Sequence, residues 1–334
     1  MDKKVLLSHG SGGKLTHDLI AGTIYPSLAN PMLAQMDDAA VFEINGKVAF
    51  TTDSFVIHPL FFPGGDIGKL AICGTINDLA VVGAKPLYLS LALIIEEGLP
   101  MQDLERVMES IKNVSNETGV QVVTGDTKVV NHGSADKLFI NTAGIGLVPS
   151  GVQISGTKAC PGDKIILSGP IGEHGLAIMA QRAGLRLKIQ IESDCAPLNS
   201  LTAEMLEYAD SIHCMRDPTR GGLATTLNEM AKQSQVSFRI FEDRLPIKEA
   251  VVSACEMLGL DPLYVANEGK LIAIVNAEKA DDILNKMRKN PYGTESVIIG
   301  EVEAENPGRV VLQTRLGALR IINMLSGELL PRIC

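Results

Sequence analysis

The residues with most chemistry to offer are carboxylates, and they fall in five separate segments of the sequence. Asp37 and Asp38 stand side by side at the head of the apolar run DDAAVF. Adjacent carboxylates repel unless a cation or hydrogen-bond donors offset them, although a solvated turn is the commoner setting for such a pair. Asp53 closes the apolar stretch VAFTTD, at the carboxyl end of a predicted strand, where ligand-contacting residues gather in open sheets. Asp78 lies in LAICGTINDLAVVG, a helix with almost no polar face on which a charge could stay in water. Burying an unpaired carboxylate is costly, so a metal ion or a donor is its expected partner, with an exposed helix side as the alternative. GDTKVV sets Asp126 and Lys128 just after an apolar strand. RDPTRGGL sets Asp217 in a Pro/Gly-flanked turn before a helix whose free N–H groups suit phosphate.

Two further features carry potential chemistry. HGSGGK near the start is a glycine-rich loop whose backbone could wrap an anion, with Lys14 adding charge. It is not a Walker A loop, because Ser8 stands where the first glycine is required and Leu15 follows the lysine. Taken alone it reads as a surface loop. Carboxylates in several segments together with glycine-rich turns point to ATP held through Mg²⁺, which favours oxygen ligands and substrate phosphates. The last residue of the chain is Cys334, after Leu330, Pro331, Arg332 and Ile333. A prenylation signal needs three residues beyond the cysteine. A frayed tail with an inert cysteine is the ordinary setting of such a residue, but an exposed thiol is an oxidation liability, and a thiolate on a mobile tail can hold an acyl group and present it to more than one site.

The elements that must position these groups follow from periodicity. Strands are predicted at 48–53, 87–95, 120–124 and 138–148, a buried helix at 66–82, and an amphipathic helix between Pro100 and Gly119. Pro149, Ser150 and Gly151, followed by the turn at Cys160–Asp163, mark a change of unit. Beyond it strands are expected at 165–168, 236–241, 271–275 and 297–302, with helices at 175–183, 201–209, 223–233 and 247–258. This mixture predicts an α+β fold of two domains, with helices mainly against one face of each sheet. The expected division is a glycine-rich segment (1–35), a first domain (36–150), a second domain (151–315), and a mobile tail (316–334) interrupted by Gly327 and Pro331.

Composition bounds the rest. The 334 residues are 46% hydrophobic, 21% charged and only 4% aromatic, which is a globular and aliphatic balance. A net charge of −9 argues against a nucleic-acid partner. No stretch is long and apolar enough for a signal peptide or a membrane span, so the expected location is cytoplasmic. The six cysteines, Cys73, Cys160, Cys195, Cys214, Cys255 and Cys334, form no C-x-x-C pair, so neither a disulfide framework nor a structural zinc site is signalled.

Read in order, HGSGG, DDAAVF, TTDSFVIHPLFFPGGDIGKLA, GTINDLAVVGAKP, GDTKVV, RDPTRGGL, ANEGK and the terminal LPRIC resemble the HypE family of hydrogenase maturation factors over essentially the whole chain. The internal blocks are similar to the wider ATP-binding superfamily of aminoimidazole ribonucleotide synthetase and selenophosphate synthetase, and the PRIC ending singles out HypE. The resemblance implies a two-domain aminoimidazole ribonucleotide synthetase-like fold with a flexible C-terminal tail, and a homodimer with ATP at its cleft. It implies HypF as carbamoyl donor to Cys334, dehydration of that carbamoyl group to a thiocyanate, and the HypC–HypD complex as cyanide acceptor. Asp37, Asp38, Asp78 and Asp217 match metal-binding positions. Asp53, Asn77, Lys14 and the turn Gly125, Asp126, Thr127, Lys128 match nucleotide-contacting ones. Glu268 in ANEGK is similar to a proposed base, and Lys128 would steady the oxygen or phosphate. Selenophosphate synthetase is the nearest rival, but its glycine-rich loop carries a reactive Cys or selenocysteine where this chain has only Ser11. A non-catalytic carrier of a thiol-bound group is the alternative of another class.

Overall fold

The computed structural model describes residues 4–10, 14–35, 39–184, 190–325 and 333. The short helices α1 (Lys14–Leu19) and α2 (Tyr25–Leu28) lead into a sheet of four strands, β1 (Lys47–Phe55), β4 (Lys85–Glu96), β5 (Gln121–Val130) and β6 (Leu138–Val148). Their order is β1-β6-β4-β5, with β1 and β4 antiparallel to β6 and β5 parallel to β4. A two-residue hairpin, β2 (Phe61–Phe62) with β3 (Gly65–Asp66), precedes the helix α3 (Ile67–Val81). Asp66 caps that helix by accepting from the N–H groups of Gly68 and Lys69.

Helix α3 is buried on nearly every side, as its mostly small and apolar sequence requires. It lies between the sheet and α4 (Met101–Thr118), whose Leu104, Val107, Met108, Ile111 and Val114 form one apolar stripe. Gly68 lets the two helices approach closely, since a Cβ there would meet the Val107 carbonyl oxygen at 2.6 Å. The opposite face of the sheet has no covering element among the described residues. Phe50 is 70% exposed there, and Val48 and Ile94 are exposed too.

The second unit is built on seven strands, β7 (Lys164–Leu167), β8 (Ile212–Arg216), β9 (Ser237–Phe241), β10 (Ile272–Val275), β11 (Val297–Glu303), β12 (Val310–Gln313) and β13 (Leu319–Ile322), in the order β13-β12-β9-β11-β7-β10-β8. Helices cover both faces, which corrects the expectation of one covered face. α7 (Gly222–Ser234) packs with Ile165, Leu167, Cys214 and Ile274, while α6 (Asn199–Met205) and α9 (Ala280–Met287) pack with Ile166, Met215, Ala273 and Val275. The reason is visible in β10, whose four residues are all buried: a continuous apolar run has no side to give to water. α5 (Glu173–Arg182) and α8 (Glu249–Leu258) instead send Leu176, Ile178, Val251 and Cys255 into the core of the first unit. The region expected to be a mobile tail begins with order, because β13 pairs with the open edge of β12. Ile333 is buried in the first unit's core. Gly327, Pro331 and Cys334 lie outside the described residues.

Candidate functional site

Strand β1, helix α3 and the turn after β8 bring three of the expected aspartates to one cleft between the units. Asp53 and Thr51 are two apart on β1 and so project from the same face. The Thr51 hydroxyl donates to Asp78 Oδ2 at 2.8 Å, which joins β1 to α3. Burial raises the carboxyls of Asp53 and Asp78 above their ordinary range, and Asp78 adds to the effect on Asp53. Asp217 is affected most. Burial first, and then the neighbouring Asp78, push it up to about 7.

A cavity of ≈ 640 Å³ opens here, lined by Thr51, Asp78, Arg216, Asp217, Thr219 and Arg220 among others. The N-terminus of α7 adjoins it, capped by Gly221 and opened by Gly222, at φ +77° and +60°. A Cβ at Gly222 would strike the Val265 carbonyl oxygen at 2.6 Å, and one at Gly221 would fall 2.3 Å from Thr225 Oγ1. Arg216, which is paired with Glu229 at 2.6 Å, Arg220 and the start of α7 lie in the same lining as the carboxylates of Asp78 and Asp217, a mixture that suits a phosphate and a hard cation together. Among the described residues Asp78 and Asp217 could hold a Mg²⁺ ion, and their raised proton affinities fit a cation that would take the proton's place. Asp37 and Asp38 lie outside the described residues.

Glu268 adjoins the same cluster. It is 4% exposed, its Oε1 has no hydrogen-bond partner, and burial raises its carboxyl well above the ordinary range, helped by Cys195, Asp217, Asp194 and Asp53. Its backbone N–H donates to Asp194 Oδ1 at 3.1 Å, and Lys270 faces Asp194 Oδ2 at 3.5 Å. Gly269 lets this segment cross the loop at 194–196, since a Cβ would fall 1.8 Å from the Asp194 carbonyl oxygen.

Other expected residues lie elsewhere. Gly125, Asp126, Thr127 and Lys128 line a different cavity of ≈ 620 Å³, with Gly10, Thr16 and Ile20 of the N-terminal segment. The two cavities share no lining residue. Lys128 is paired with Asp126 at 2.9 Å, both largely exposed, and this bond holds the Asp126 carboxyl below its usual range. Lys14 is exposed at the start of α1 and is not among the lining residues. Asn77, expected to contact nucleotide, is 1% exposed with its amide fully used. Its Nδ2 donates to the carbonyls of Ala196 (3.1 Å) and Glu268 (3.3 Å), and its Oδ1 accepts from Leu198 N (2.8 Å). It clamps the two units and sets the Glu268 backbone.

Sequence reasoning passed over Thr51, Asp194, Arg216 and Lys270. Thr51 could have been found from its two-residue spacing to Asp53, Arg216 from adjacency to Asp217, and Lys270 from its two-residue spacing to Glu268. Asp194 carries no such signal. A separate group of Cys160, Asp163 and His213 is explained by turn capping: Asp163 Oδ2 accepts from Cys160 N (2.8 Å) and bonds His213 Nδ1 (2.7 Å).

Comparison with known proteins identifies the family. Residues 36–148 match the family of AIR synthase related proteins, N-terminal domain, and residues 160–313 the corresponding C-terminal domain. Carbamoyl dehydratase HypE of Azotobacter vinelandii is 53% identical over 331 residues, covering 99% of this chain and 97% of that protein. A crystal structure of hydrogenase maturation protein HypE in complex with ATP superposes with a TM-score of 0.95 at 48% identity, covering 98% of this chain and 99% of that one. A HypE–HypF complex matches with a TM-score of 0.82 at 45% identity, over 94% and 100% of the two chains. By sequence along its length and by fold, the chain belongs to the AIR synthase related family and, within it, to the HypE carbamoyl dehydratases.

Proposed function

We propose that the chain dehydrates an S-carbamoyl group on Cys334 to a thiocyanate at the expense of ATP, as a source of the cyanide ligand of [NiFe]-hydrogenase iron. The observation that carries the reading is Glu268, a buried carboxyl with one oxygen unpartnered beside two aspartates of raised proton affinity. A carbamoyl oxygen is a poor leaving group. It therefore takes the γ-phosphoryl group of ATP, ADP departs, and one N–H proton is lost as the carbon–nitrogen double bond forms. The second proton and phosphate then leave together, and the sulfur carries C≡N. Glu268 is the base, and its raised proton affinity suits a weakly acidic N–H. Asp78 and Asp217 would hold Mg²⁺, a role the sequence resemblance implies for Asp37 and Asp38 as well, and the ion would supply charge neutralisation at the phosphates.

The ordinary fate of a sheet face bearing Phe50, Val48 and Ile94 is burial against a partner, and here the partner is a second copy of the chain. A homodimer also accounts for the separation of the Gly125–Lys128 turn from the carboxylate cleft: one protomer contributes the turn and its partner the aspartates to a shared nucleotide. HypF loads the carbamoyl group and a HypC–HypD complex receives the cyanide.

Mass spectrometry of the C-terminal peptide, after incubation with the carbamoylating partner HypF and MgATP, tests the reading. The parent gains the carbamoyl mass and then loses water. Glu268→Gln keeps shape but not proton acceptance, so it accumulates the carbamoyl form with ATP affinity within about threefold of the parent. Asp78→Asn instead weakens Mg²⁺-dependent ATP binding. Dehydration at the parental rate by Glu268→Gln removes it as the base, and ATP binding without ADP formation by the carbamoylated parent makes the chain a carrier.

A further inference from the structure

His174, on the first turn of α5, is fully buried and belongs to none of the groups considered above. Its Nε2 lies 2.7 Å from the carbonyl oxygen of Ile333, and its Nδ1 lies 2.7 Å from Ser193 Oγ. A carbonyl oxygen can only accept, so Nε2 carries the proton. In the neutral ring Nδ1 then accepts from the Ser193 hydroxyl, whose oxygen in turn accepts from the Cys195 N–H at 3.1 Å. Burial depresses the imidazole's proton affinity and favours that neutral ring. Its edge meets the Phe62 ring at right angles, with centroids 5.6 Å apart. Every hydrogen-bonding atom of the side chain is committed, and one tautomer satisfies them all.

We propose that His174 is a positioning residue, a latch that holds the end of the chain inward by donating from Nε2 to the Ile333 carbonyl. This rests on the proposed function, in which Cys334 carries the reacting group. The latch grips the backbone of the residue before the cysteine. It is therefore indifferent to whether the sulfur bears hydrogen, a carbamoyl group or a cyano group, and the same contact serves each stage. Ile333 adds a buried side chain, 3% exposed, set in the core that contains Leu176, Ala177 and Ile178 of α5.

The latch is also tied to the reaction centre by the next residue along. Ser193 holds the imidazole, and Asp194 accepts from the Glu268 backbone N–H. Ser193 N donates to the Pro63 carbonyl at 2.8 Å, which fixes the loop to the first unit. Three consecutive residues, Ser193, Asp194 and Cys195, thus set the anchor of the tail and the backbone of the base in one frame. Releasing the end of the chain leaves the Nε2 N–H without a partner in a dry site, which biases the equilibrium toward the latched state.

The test compares full-length His174→Leu and His174→Gln. Glutamine keeps an amide N–H near the Nε2 position; leucine removes it. Three quantities are read: single-turnover thiocyanate formation by the pre-carbamoylated chain, the rate at which maleimide labels the Cys334 peptide in resting protein, and carbamoyl loading by HypF. Loss of the latch is expected to slow dehydration by about tenfold or more. Labelling should quicken and loading should not slow, with ATP affinity unchanged and glutamine restoring most of the parental behaviour. Opposite signs in dehydration and labelling are what a merely structural histidine would not give. Ile333→Ala, which leaves the imidazole intact, should reproduce the effect more weakly and serves if His174→Leu does not fold. Parental labelling and dehydration rates in both His174→Leu and Ile333→Ala, or in Ile333→Ala where His174→Leu does not fold, overturn the latch. Absence of thiocyanate from the parent itself would overturn the proposed function instead, and labelling would still decide on the latch.

Discussion

In the unfolded chain Asp217 ionises near 3.8, and in the folded chain burial and Asp78 carry it to about 7. Between those values the folded state binds a proton that the unfolded state does not. The stability contributed by the protonated form is complete below pH 3.8 and is lost as pH rises through about 7, each unit of displacement being worth about 1.4 kcal/mol. Without metal, the melting temperature of the parent should therefore fall between pH 5 and pH 8, and that of Asp217→Asn should fall less. Mg²⁺ should raise the parent's melting temperature more at pH 8, where it does not compete with the proton. Calorimetry in EDTA and in excess Mg²⁺ measures both, and identical pH profiles for parent and variant would remove Asp217 as the titrating group.

At the scale of elements, α3 is the part that carries Asp78 and Asn77, and its position depends on two close approaches. Gly68 meets the α4 backbone at Val107, and Gly74 meets the ring of Phe55, where a Cβ would lie 2.9 Å from Cζ. Carbonyl oxygens in a helix cannot step aside as a flexible side chain can. Gly68→Ala should therefore destabilise by about 1–3 kcal/mol through overpacking, despite alanine's better helix propensity. Gly22 supplies the contrast: it is exposed, in the helical stretch between α1 and α2, with no atom within 4 Å of an added Cβ. Gly22→Ala should stabilise by roughly 0.4–1 kcal/mol, mainly by restricting the unfolded chain. Chemical denaturation of the two variants reads the opposite signs, and equal signs would mean that packing at Gly68 is not what sets α3 on α4.

For the whole molecule the decisive question is whether a nucleotide site is shared between protomers. Asp78→Asn damages the carboxylate cleft and Lys128→Ala the separate Gly125–Lys128 turn. If each site takes one part from each protomer, a mixed dimer of these variants contains one site with both lesions and one with none. Co-refolding the two inactive variants should then restore about a quarter of the parental activity per chain, since roughly half the dimers are mixed and half their sites intact. If both parts act within one protomer, mixing restores nothing. Dehydration measured on the mixture decides between the two arrangements.

The sequence by itself determined much of this protein. The alternation and spacing of apolar residues announced the strand at 138–148 and the helix at Ile67–Val81 to within a residue, because those patterns are local consequences of pleat and helical pitch. Asp78 could be singled out because its helix offers no polar side, and the family was legible from ordered motifs. β8 was not foreseen, since Ile212–Arg216 owes its strand to β10, a partner distant in the chain. Nor did the sequence reveal that Asn77 is a clamp, that Gly125–Lys128 and the aspartates face different cavities, or that His174 meets the carbonyl of Ile333. The clamp and the His174 contact join residues 119 to 191 positions apart. A motif records which atoms a residue can offer; which atoms answer them is decided only when the two units close on one another, because hydrogen bonds and desolvation act over a few ångströms of space and have no memory of distance along the chain.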